Sequence, residues 1–189
     1  MYRVRQFGQA LGAWLQPGGA EDEATVRDLR MPAAAVSLFE AMPRHDRHHA
    51  LRVVRSLKAQ GRSQPELLAA ALLHDVGKSG QWGAPGNTFG DEGSSSVGLG
   101  RVRLWHRVAT VLLRAAWPGL LERIGRDAGR GKWRIPFYVQ MHHAAIGARL
   151  AAQAGCSPAT VALIRHHEDA PAGAGDEWLA ALRAADDEN

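Results

Sequence analysis

In Leu72-Leu73-His74-Asp75-Val76-Gly77-Lys78 a histidine stands beside an aspartate at the end of an apolar run, Leu67 to Leu73, that predicts deep burial. Bare charge is costly in such a place. A metal ion is the commonest relief, because neutral imidazole and carboxylate both ligate divalent first-row metals. The same residue types recur at His48-His49, His142-His143, His166-His167-Glu168 and Asp186-Asp187. Any one of these histidines, taken alone, is more often a core-edge imidazole bonded to backbone. Several on core-facing positions of successive helices would form a ligand set.

Which of them face inward depends on the elements that carry them. Strand-like period-2 alternation is scarce throughout, so the expected fold class is all-α, in a single domain of 189 residues with 46% hydrophobic residues. Residues 1–43 read as a helical segment in which Val4, Phe7, Leu11 and Leu15 recur before Pro17-Gly18-Gly19, and Pro32 opens a short helix ending near Pro43. Residues 44–78 carry the first histidines and the His-Asp pair. From Arg44 to Gln60, Ala50, Val53, Val54 and Leu57 share a face that His49 borders, whereas His48 points roughly the other way. Asp46 lies on the side of His49 and is placed to support it. Glu66 to about Gly77 is a helix apolar on nearly every side, with Gly77 as its C-terminal break and Lys78 within reach of a bound anion.

Residues 79–134 read as a Gly- and Ser-rich loop followed by a basic amphipathic helix stopped near Pro118. From Arg101 to Arg134 nine Lys or Arg face two acids, Glu122 and Asp127, so this stretch carries the chain's net charge of +4. Such a region can attract phosphates, nucleic acid or, along Arg103 to Arg114, an anionic membrane surface; more often such a helix is a solvated face that packs on its own domain. In residues 135–189, Val139, His143, Ile146, Gly147 and Leu150 share one face with His143 central and His142 at the margin. Ser157-Pro158 starts a helix ending at His166-His167, both of which reach one site if its last turn bends. In the last helix, Trp178 to Asp187, Leu179, Leu182 and Asp186 turn inward.

No run approaches the roughly 18 apolar residues of a membrane span, and Met1-Tyr2-Arg3-Val4-Arg5 lacks the apolar core of a secretory signal, so the expected location is the cytoplasm. A single cysteine, Cys156, makes no internal disulfide or thiolate cluster, which leaves His, Asp and Glu as metal ligands.

In order the chain presents His49, His74-Asp75, His143, His166-His167 and Asp186. This order, together with His49-Ala50-Leu51-Arg52-Val53, Leu72 to Lys78, Leu163-Ile164-Arg165-His166-His167-Glu168 and Leu182-Arg183-Ala184-Ala185-Asp186, resembles the HD-domain superfamily of metal-dependent phosphohydrolases, in its extended subgroup that includes HD-GYP proteins. The resemblance implies an HD-domain helical bundle and a phosphohydrolase acting on a small phosphorylated substrate, a phosphodiester or nucleotide. It further implies two divalent metal ions, chosen among Mn, Fe, Co, Ni and Zn. One is held by His49, His74, Asp75 and Asp186; Asp75 bridges to the other, held by His143, His166 and His167; Lys78 contacts substrate phosphate. Two metals would acidify a bridging water and stabilise an in-line displacement. Asp169 follows Glu168 with no GYP, so no cyclic di-GMP specificity carries over. Two alternatives stand beside this reading: a single-stranded nuclease, since CRISPR-associated HD nucleases share a similar histidine order, and a nucleotide-binding or membrane-surface sensor without turnover. Oligomeric state is not legible.

Overall fold

Prolines and glycines mark where helices begin and end in this chain. Pro65, Pro136 and Pro158 each stand in a first helical turn, where a missing N–H costs nothing. Gly61 (φ 77°) and Gly155 (φ 82°) close two helices in the left-handed conformation glycine adopts without strain. The computed structural model describes residues 20–79, 110, 112–113, 116–125, 132–169 and 177–189. Its helices are α1 (Ala20–Asp28), α2 (Ala33–Glu40), α3 (Arg44–Ala59), α4 (Pro65–Leu73), α5 (Pro118–Gly125), α6 (Ile135–Gln153), α7 (Pro158–His166) and α8 (Glu177–Glu188), with 3-10 turns at Val76–Lys78 and Lys132–Arg134. The fold is all-α, with no strand among the described residues.

Every residue of α4 from Leu67 to Leu73 is buried, which makes it the central helix. It packs on α3 and α7, while α6 packs on α7 and on the turn Val76–Lys78, and α8 closes over α3 and α7. Ser157 caps α7 by accepting the Thr160 N–H at 3.2 Å. Thr160 Oγ1 then donates to Glu66 O at 3.1 Å, which ties the start of α7 to the start of α4.

Two details differ from the sequence expectation. α4 stops at Leu73 instead of running to Gly77; His74 and Asp75 form a turn, with Asp75 at φ −97°, ψ 3°. That sparsely allowed region switches the chain to the tighter pattern in which Lys78 N–H donates to Asp75 O at 2.9 Å. Gly77 is not a left-handed break. A Cβ there would lie 2.1 Å from His143 O and 3.0 Å from Gly147 N, so Gly77 is what allows this turn to lie directly on the backbone of α6. Near Pro118 helical structure does pause, at Trp117, but Pro118 itself opens α5. The expected helix through Val4 to Leu15, the loop from residue 80 to 100 and the basic stretch Arg101 to Ala109 lie outside the described residues. No helix among the described residues is long and apolar enough to cross a membrane.

Gly77→Ala should therefore lower stability by about 1–3 kcal/mol through overpacking against α6. Gly119→Ala, where an added Cβ meets nothing within 4 Å, should not. Urea midpoints for the two variants check this; an unchanged midpoint for Gly77→Ala would remove the close-approach account.

Candidate metal centre

Five elements send their polar side chains to one place. α3 supplies His49, the turn after α4 supplies His74 and Asp75, α6 supplies His143, the end of α7 supplies His167 and α8 supplies Asp186. They fall into two adjoining groups, His49 with His74 and Asp186, and Asp75 with His143 and His167; within each, the ligand atoms lie within 4.8 Å of one another. The His74 ring joins the groups, 5.2 Å from the His49 ring and 5.2 Å from that of His167. Asp75 joins them as well: its Oδ1 is 3.7 Å from His74 Nε2 and 3.5 Å from His143 Nε2.

Three of the imidazoles are oriented in the same way by their own helices. Nδ1–H donates to the carbonyl three residues back: His74 to Ala71 O (2.8 Å), His143 to Gln140 O (2.9 Å) and His167 to Ile164 O (2.7 Å). Each bond leaves Nε2 as the nitrogen facing the cluster, the usual second-sphere arrangement of a metal-ligating histidine. The Nε2 atoms of His74 and His143 are buried without a hydrogen-bond partner. Buried polar atoms without partners are rare and call for an ion or a proton. Their separations of 3.4 to 3.7 Å from the oxygens of Asp186 and Asp75 are long for hydrogen bonds. They are close to those of two ligands about 2.1 Å from a shared cation. The buried His and Asp groups therefore fit a metal ion.

The electrostatics agree with the donor set. Burial pushes the Asp75 carboxyl upward, but Lys78, His74 and His143 outweigh it and hold Asp75 well below its ordinary range. Asp186 is likewise depressed, because contacts with His49 and His74 overcome its burial. Burial and Lys78 drive His143 well below its usual value, and burial with His74 lowers His167, so both are neutral at pH 7, the form that could ligate a metal. His74 goes the other way: burial opposes its charge, yet Asp75 and Asp186 raise it to about 9.

The remaining candidates are placed as follows. Lys78 Nζ lies 2.6 Å from Asp75 Oδ1, at the cluster. His166 is not brought into either group; its ring is half exposed and Nδ1 meets Asp169 Oδ2 at 2.6 Å. His142 sits at the margin, 3.3 Å from Gly125 O and against the Tyr138 ring, and Asp46 is buried with His45 Nε2 at 3.1 Å. Sequence reasoning passed over Arg183. Its guanidinium donates to the carbonyls of His166 (2.8 Å) and His167 (3.1 Å), closing the end of α7 and fixing where His167 points. The signal was its place one turn before Asp186 on the same side of α8.

His167→Ala should cost most of the bound metal in elemental analysis, whereas His166→Ala should retain it; equal loss in both would mean that the end of α7 rearranges around the ion. Because His74 is raised from 6.5 to about 9, metal must displace its proton at neutral pH. Affinity in a competition titration should therefore climb by about tenfold per pH unit from pH 7 toward 9 and then level. In protein stripped of metal the same shift stabilises the fold below pH 6.5, a contribution lost as pH rises through 9. A flat affinity profile would contradict the raised value.

The chain matches no family model, no curated protein and no solved structure, so the functional reading rests on the site itself.

Proposed function

We propose that this protein is a metal-dependent phosphohydrolase of the HD-domain kind, acting on a phosphodiester or nucleotide. The observation that carries the reading is the division of six His and Asp side chains, four of them buried, into two adjoining groups of three, with Asp75 between them and Lys78 against it. That division favours two ions over one, and His with Asp suits Mn, Fe, Co, Ni or Zn. Divalent ions held there supply Lewis-acid charge toward a phosphoryl oxygen and acidify water for its attack.

The chain's own residues supply the rest. The backbone bonds at Nδ1 hold His74, His143 and His167 in the ligating tautomer. Their burial keeps bulk water from competing at the cluster. Lys78 places an ammonium beside Asp75, where it neutralises the carboxylate and can turn to a substrate phosphate. Arg183 keeps the end of α7, and so His167, in register with the turn that carries Asp75.

The test is a panel containing a p-nitrophenyl phosphodiester, nucleoside monophosphates, a cyclic dinucleotide and a single-stranded oligonucleotide, assayed with each candidate metal. Asp75→Ala should lose metal and activity together. Lys78→Ala should keep the metal and lose about 10- to 100-fold in kcat/KM, the worth of one charge-assisted bond to phosphate. Stoichiometric metal with no turnover of any probe would move the protein to a binding role, and an active, metal-free Asp75→Ala protein would sink the mechanism.

A further inference from the structure

A cavity of about 750 Å³ lies among α1, α2 and α3. α3 lines it with Arg44, Arg47, His48 and Leu51, the i, i+3, i+4, i+7 spacing of one helical face. His49, which belongs to the histidine–aspartate groups, points about 100° away around the helix. The volume is that of a site for a small organic molecule.

Arg27 and Arg30 line the same cavity, so four arginines line it beside two acids, Glu23 and Glu40. None of these four arginines makes a side-chain hydrogen bond or ion pair with the described residues. Apolar side chains line it as well, with Phe39 and Leu51 buried and Met31 partly so. Among the described lining residues, an excess of two positive charges beside apolar side chains suits a phosphomonoester dianion attached to an apolar body, since guanidinium forks pair with phosphate oxygens in twos.

Arg30 adds an independent observation. It is the one non-glycine residue with positive φ (47°) among the described residues, at the position just past the end of α1. The same position after α3 and α6 is glycine, Gly61 and Gly155. A side chain held where glycine is cheaper for the backbone points to work done by that side chain.

We propose that this cavity is a second ligand site, for an organic phosphate whose anionic group is met by Arg27, Arg30, Arg44 and Arg47 and whose apolar body rests on Phe39 and Leu51. It depends on neither metal nor hydrolysis at the other site. Calorimetric titration of the full chain with octyl phosphate, adenosine 5′-monophosphorothioate and inorganic phosphate tests it. At least one organic probe should bind about tenfold or more tighter than inorganic phosphate, and the better of the two tells whether the body is aliphatic or aromatic. Arg30→Gly and Arg47→Ala should each weaken that binding by about tenfold or more, with Asp75→Ala unchanged. Arg30→Gly should do so without lowering the unfolding midpoint, because glycine relieves the positive φ. No binding of any probe up to millimolar concentration would overturn the site, as would binding that is indifferent to both arginine variants and lost in Asp75→Ala.

Discussion

A carboxylate buried as deeply as that of Asp75 has to be matched by positive charge or by ligands within a few ångström, and the surrounding structure is arranged to do this. Lys78 comes from the same turn, His74 from the adjacent residue, and His143 from a helix far along the chain. Replacing such a cluster with apolar side chains would leave a helical bundle with a simpler core. Keeping it means that every member must be satisfied, and the two orphaned Nε2 atoms show where the protein alone does not manage this.

The bundle's geometry follows from that requirement. Bringing Asp75 to His143 needs the turn after α4 to touch the backbone of α6, and two small residues, Gly77 and Gly147, provide the room. The consecutive residues His74 and Asp75 fall in different groups of candidate ligands, and a 3-10 turn follows them. α8 then acts twice, presenting Asp186 to the first group and Arg183 to the end of α7.

α3 serves two environments through adjacent residues. His49 belongs to the ligand groups, while His48 shares a cavity with arginines from α1 and α3. The helical period separates those surroundings, and no additional element is required between them.

Helical periodicity by itself distinguished His49 from His48, placed His143 at the centre of a buried stripe with His142 at its edge, and turned Asp186 inward. These are the sides on which the structure has them, because side-chain direction along a regular helix is a local property. The all-α class and the main helix boundaries were legible for the same reason, since proline, glycine and capping serine act over a few residues. Three things were decided only in the folded protein. His166 and His167 are neighbours at a helix end, where periodicity no longer applies; contacts from Arg183 and the backbone bond to Ile164 set His167 inward and left His166 to Asp169. Gly77 looked like a helix stop, but its role is a contact with α6, some 66 residues away in sequence at His143. The family resemblance implied two groups, but which side chains come within 4.8 Å of one another depends on distances among five elements, and such distances follow from how helices pack, which no local pattern encodes.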